Sequence, residues 1–220
     1  MTTTIALIVV TLLKLGAVGT GPRMLVGKTF APDNLDASIK GAWLAVCRGP
    51  SATADVLQPV EVRYTRTPWA VAEGLQWNIR ADGCKGRTLL VRDLPHVDAP
   101  RPLPRAQVSG NASGPRITLR FGEQRYVITD HKRGVESEGI KHRVVISSTS
   151  GGHKQVLFED HGEHDPRILW AGDLDGDGKL DLLLEVPSHE SATDVRLFLS
   201  TAAKGDDLVG QVASQYTGSC

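Results

Sequence analysis

Four aspartates, Asp173, Asp175, Asp177 and Asp181, fall at positions 1, 3, 5 and 9 of the stretch 173–181. Calcium is a hard cation that takes six to eight oxygen ligands. Alternate aspartates in a tight loop turn their carboxylates inward onto one point, and the main-chain carbonyl of Lys179, at position 7, can add another oxygen. Gly176 and Gly178 permit the left-handed backbone that such a curl requires. Without a cation, four carboxylates this close in sequence repel one another. A solvated acidic turn is the competing reading, but four aspartates at these offsets with two glycines fit a calcium loop better. A bound Ca2+ is therefore expected on Asp173, Asp175, Asp177, Lys179 and Asp181.

The loop is not an EF-hand. That motif needs a bidentate carboxylate at position 12, where this chain has Leu184, and it is flanked by helices. Here the flanks, residues 168–170 and 180–184, are short apolar runs that read as strands. The segment instead resembles the FG-GAP (integrin α, VCBS-like) repeat, of form Asp-x-Asp-x-Asp-Gly-x-x-Asp between two strands. The resemblance implies calcium ligation by Asp173, Asp175, Asp177 and Asp181 and by the carbonyl of Lys179. Ala171-Gly172 before the loop and Leu182-Leu183 after it match the pattern too. The resemblance covers about 20 of the 220 residues and occurs once. A seven-bladed propeller at some 40 to 60 residues per blade does not fit this length, so the calcium loop carries over and the whole propeller does not.

Other reactive side chains are less organised. Six of the seven histidines lie in the second half, and His161, His164 and Asp165 cluster in a Gly- and Pro-bounded loop. Their order is not that of a His-Glu-x-x-His zinc helix. There is no Gly-x-Ser-x-Gly elbow and no phosphate-cradling glycine loop. Trp43, Trp69, Trp77 and Trp170 could form a carbohydrate-stacking platform, but scattered tryptophans more often pack a core. Trp69, after Pro68, is the one best placed for exposure. Two function classes follow. One is a non-catalytic calcium-binding module that recognises an envelope protein, a glycan or a peptide; the other is a calcium-stabilised secreted hydrolase with a dispersed active site around residues 161–165. A structural or adhesive module acting through Cys220 is a third.

The elements that position these residues read as strands. Residues 42–47, 60–64, 75–79 and 88–91 are short apolar or alternating runs separated by turn residues. Residues 117–121 and 125–129 read as one hairpin, and 144–146 with 156–158 as another. Residues 195–199 and 208–212 complete the set, and no periodic segment reaches three helical turns. The expected fold is mainly β: an antiparallel meander, sandwich-like or partial-propeller domain with one calcium-binding hairpin loop. Five prolines between residues 95 and 116 mark a linker or long loop between an N-terminal β lobe, 20–94, and a C-terminal β lobe, 117–220.

Charge and cysteine content bound the setting. Twenty-five basic and 25 acidic side chains balance to zero, with no single-sign run, which argues against a nucleic-acid binder. Residues 5–13 are apolar apart from Thr11, too short for a bilayer span of roughly 20 residues but suited to a secretory signal. Ala17 and Gly19 offer a small-x-small site, so residues 1–19 read as a signal peptide, against a buried first strand or helix as the alternative. No later segment is long and apolar enough to span a membrane. Export to the periplasm or beyond would make disulfides possible among Cys47, Cys84 and Cys220. Cys47–Cys84 and Cys84–Cys220 both remain open.

Overall fold

Strand follows strand along almost the whole described chain. The computed structural model describes residues 22–27, 29–30, 42–51, 53–68, 75–86, 89–94, 97–136, 139–188 and 192–218. Residues 1–19, expected to be a signal peptide, lie outside them, as do Trp69, His189 and Cys220. The architecture is nearly all antiparallel β, in three sheets. Among the described residues the one helical element is a 3-10 turn at Ser200–Ala202, and no helix is long and apolar enough to cross a membrane.

The first sheet holds β1 (Arg23–Leu25), β2 (Thr29–Phe30), β3 (Ala42–Ser51), β4 (Ala54–Pro68), β5 (Leu75–Ala81), β6 (Leu89–Arg92) and β7 (Arg101–Pro104). Its order is β1-β6-β3-β4-β5-β2. Long β4 serves two partners on one side: residues 54–57 pair with β7, and residues 62–68 pair with β5. The proline-rich stretch, expected as a linker or long loop, contributes β7 here. Pro102 and Pro104 are tolerated because β7 pairs only with β4, and a strand with one partner can spare ladder donors.

The second sheet is a sequential meander of β8 (Gln107–Ser109), β9 (Arg116–Phe121), β10 (Gln124–Glu136), β11 (Gly139–Ser148) and β12 (Lys154–Gly162). The third is a four-stranded meander of β13 (Arg167–Gly172), β14 (Asp181–Val186), β15 (Ala192–Leu199) and β16 (Gly210–Gly218).

Side-chain parity shows how the layers stack. Leu182 and Leu184 of β14 pack with Ile117, Leu119, Ile128, Val144 and Ile146 of the second sheet. Leu183, between them, packs with Val46, Leu57, Leu89, Val91 and Leu103 of the first sheet. The third sheet is thus buried on both faces, which is why β14 reads as an unbroken leucine run rather than an alternation. Each fully buried leucine contributes roughly 1.5–3 kcal/mol relative to exposure. The first sheet has a further apolar cluster around Trp43, Ala45, Cys47, Val62 and Ile79.

Cys47 and Cys84 form a disulfide with Cα atoms 5.3 Å apart, joining β3 to the turn after β5. Such a bond points to an oxidising, exported environment. In the chain-entropy account, a loop of this length is worth about 4 kcal/mol.

Candidate metal centre

The loop between β13 and β14 is anchored at both ends in the doubly buried sheet. Trp170, Leu174 and Leu180 are buried and hold its backbone down, leaving residues 176–179 exposed. Gly176 and Gly178 take φ of 88° and 80°, a region open to glycine at little cost, and these two reversals curl the chain.

The curl brings Asp173, Asp175 and Asp177 together. One carboxylate oxygen from each lies within 4.8 Å of the others. Oxygens on opposite sides of one calcium ion at 2.3–2.6 Å stand about 4.6–5.2 Å apart, so the spacing lets all three touch a single ion. Asp173 and Asp175 are buried, and Asp177 lies at the solvent side. Among the described residues this is the one group of three or more His, Cys, Asp or Glu side chains with metal-ligand proximity. The donor set is all oxygen, which fits a hard divalent cation rather than a thiolate- or imidazole-seeking metal.

Main-chain N–H groups orient the three carboxylates. Gly176 and Gly178 donate to Asp173 at 2.5 and 3.1 Å. Asp177 donates to Asp175 at 3.3 Å, and Lys179 to Asp177 at 2.8 Å. Thr201 Oγ1, from the 3-10 turn, donates to Asp175 at 2.5 Å. A carboxylate offers about four acceptor sites, so each retains lone pairs for a cation.

Asp181 is placed differently from the other three. It is fully buried, and its two oxygens accept four hydrogen bonds. Oδ2 accepts from the main-chain N–H of Leu174 at 2.6 Å and of Asp175 at 3.2 Å. Oδ1 accepts from the N–H and the hydroxyl of Ser200, at 2.8 and 3.1 Å. Asp181 thus ties the start of the loop to the end of β15. Burial pushes its pKa up to about 7; the N–H donors oppose that rise, and the charge of Asp175 adds to it. Lys179 lies on the exposed side of the loop, its ammonium 3.8 Å from Asp177.

Residues distant in sequence complete the surroundings. Arg101, on β7, donates to the carbonyl of Leu174, and its guanidinium lies so close to Gly176 that a Cβ there would stand 2.9 Å from Nη1. Its Nε is buried without a hydrogen-bond partner. Tyr126 lies near Asp177: burial, and then the charge of Asp177, raise its phenol above the ordinary value. A groove of about 530 Å³ opens beside the loop, bordered by Tyr126, His153, Asp177, Lys179, Thr201 and Asp206. No spacing rule in the sequence points to Arg101, Ser200 or Thr201, because each reaches the loop only through sheet packing.

The histidine cluster is dispersed. Asp165 pairs with Lys132 at 2.5 Å, His161 lies on β12 opposite Lys141, and His164 is exposed. His142 is the histidine in a built environment. It is fully buried, with Nδ1 at 2.7 Å from Asp130 and Nε2 at 3.3 Å from the carbonyl of Gly162. Two of the tryptophans are core residues, Trp43 and Trp170, while Trp77 is half-buried beneath Arg66 at 4.2 Å.

No protein-family model matches this chain, and neither does any curated protein or solved structure.

Proposed function

We propose that the protein is an exported, periplasmic or secreted, calcium-binding β module without catalysis of its own, acting by binding an envelope protein, a glycan or a peptide. The convergence of Asp173, Asp175 and Asp177 within 4.8 Å carries the reading. Calcium is favoured over magnesium because the loop offers many flexible oxygens, whereas magnesium demands tight octahedral geometry and retains its waters. Asp173, Asp175 and Asp177 would ligate directly and the Lys179 carbonyl would add an oxygen, while Asp181, at the last position of the FG-GAP-like set, would brace the loop beside the ion. The position of the loop, between the first and second strands of a four-stranded meander, supports that resemblance. The Cys47–Cys84 bond supports export.

The ion would act as a staple. It would neutralise the facing carboxylates and fix the β13–β14 connection, and Thr201 and Ser200 would pass that order to the end of β15. Thermal unfolding of metal-stripped protein across a calcium titration, with magnesium as control, tests this. Binding to the native state alone raises stability by about 2.7 kcal/mol at a hundredfold excess over Kd. A calcium-selective rise in Tm is expected; a stripped protein whose Tm ignores calcium overturns the reading.

A further inference from the structure

The zero net charge of the chain conceals a one-sided distribution that appears only when the strands are paired. In the second sheet, Ile117, Leu119, Tyr126, Ile128, Val144, Ile146 and Phe158 point into the core. By strand alternation their neighbours share the outer face. That face carries Arg116 and Arg120 on β9, Arg125 and Arg133 on β10, Lys141 and Arg143 on β11, and Lys154 on β12. Against these seven cations stand Glu159, which Arg143 reaches at 3.0 Å and Lys141 at 3.9 Å, and Glu136, which the register sets opposite Gly139 at the end of β10. Arg116, Arg125, Arg133 and Lys154 pair with no carboxylate among the described residues.

The register makes this arrangement costly for the fold. Arg125 stands directly opposite Arg120, Arg133 opposite Lys141, and His131 opposite Arg143. Like charges directly across an antiparallel pair destabilise a sheet, and opposite charges would have served packing better. Part of the face is also concave. A depression of about 870 Å³ is bordered by His131, Lys132, Arg133, Arg143 and Lys154, by Val145 and Val156, and by one acidic residue, Asp130, which is buried against His142. Four neighbouring strands thus present spaced cations, and three of them, β10 to β12, line a shallow open trough, a shape and charge that match an extended polyanion.

The missing side chains narrow the choice of polyanion. Single-stranded nucleic acid is held by aromatic platforms on which bases stack. Both described aromatics of β10 and β12, Tyr126 and Phe158, face the core. An acidic protein partner would need buried anchors, yet the one large apolar side chain exposed here is Val156, at 40%. A flexible chain of carboxylated or sulfated sugars needs neither stacking nor anchoring.

We propose that the outer face of the second sheet, centred on Arg133, Arg143 and Lys154, binds a linear acidic polysaccharide. This deepens the binding-module reading by naming the chemistry of the partner, and rests on that reading for the compartment. The trough lies apart from the aspartate loop, so the two can fail separately.

The test is binding of the full chain to immobilised heparin and polygalacturonate at about 50 mM salt, where screening is weaker than at physiological ionic strength. Single-stranded DNA serves as comparison. Binding to at least one polysaccharide is expected, falling steeply as salt rises. The double variant Arg133→Gln/Lys154→Gln should lose roughly fivefold per cation, on the order of 25-fold together. The control Lys85→Gln/Lys204→Gln, removing two exposed cations elsewhere, should bind like wild type. An unchanged calcium-induced Tm shift in the trough variant would show that its fold and loop are intact. Absence of binding to any polyanion overturns the proposal, as does equal loss in the control variant. Tighter binding to DNA than to either polysaccharide overturns the choice of ligand. A calcium shift without polysaccharide binding leaves the staple standing and removes only this inference.

Discussion

The indole N–H of Trp170 donates to the buried carboxylate of Asp55 at 2.9 Å, across 115 residues of chain. Arg105 approaches the same carboxylate oxygen at 3.5 Å. The contact joins β4 of the first sheet to β13, the strand that feeds the aspartate loop. Both residues are buried, so removing the acceptor leaves an indole N–H without a partner. Asp55→Ala should therefore destabilise by about 1–3 kcal/mol. Urea unfolding should report one transition at lower denaturant, because the shared apolar cluster couples the sheets. Loss of structure around the first sheet alone, with the rest unfolding at the wild-type midpoint, would mean that the contact does not bind the layers together.

Asp181 and Asp177 separate bracing from ligation. Asp181 satisfies four donors from inside the core, whereas Asp177 is exposed and accepts one loop N–H. An asparagine at 181 keeps one acceptor oxygen and turns an NH2 group toward two donors. In EDTA at pH 5, Asp181→Asn should cost about 2–4 kcal/mol, while Asp177→Ala should stay within about 0.5 kcal/mol of wild type. In calcium the order changes, with Asp177→Ala losing most of the stabilisation that the ion supplies. Equal stability of Asp181→Asn and wild type in EDTA at pH 5 would show that Asp181 does not brace the loop.

What the residues alone disclose divides along the distance over which the information acts. Residues 180–184 read as a strand from a short apolar run, whose burial on both faces shows only in the packing, and residues 117–121 and 125–129 announce their hairpin through local period and turn chemistry. The aspartate loop is equally local: spacing and two glycines suffice to bring Asp173, Asp175 and Asp177 together. The same spacing nominates Asp181 as a ligand but cannot reveal that Ser200 and the N–H groups of Leu174 and Asp175 occupy its oxygens. Arg101 and Thr201 approach the loop through packing between sheets, which leaves no mark in nearby sequence. Prolines 102 and 104 suggest a linker or long loop, and only the pairing of β7 with a single strand, β4, explains their tolerance. The cationic face is illegible for a related reason. Its members are scattered from residue 116 to residue 154, and cross-strand register alone gathers them.

Proton binding at Asp181 gives the loop a pH dependence whose sign depends on calcium. In the ion-free protein its folded pKa is raised to about 7, from an ordinary value near 3.8. Between those values the folded protein keeps a proton that the unfolded chain has released. Stability from this group is therefore full at low pH and lost as pH rises through the window, by at most about 4 kcal/mol. The quantity to measure is the difference between wild type and Asp181→Asn in EDTA, which isolates this group. That difference should shrink from pH 5 to pH 8. A bound cation takes over the role of the proton, and binding no longer competes with protonation once pH exceeds the raised pKa. The calcium-induced rise in Tm should consequently be larger at pH 8 than at pH 5. Equal calcium shifts at the two pH values would mean that the carboxylate of Asp181 is not electrostatically coupled to the ion.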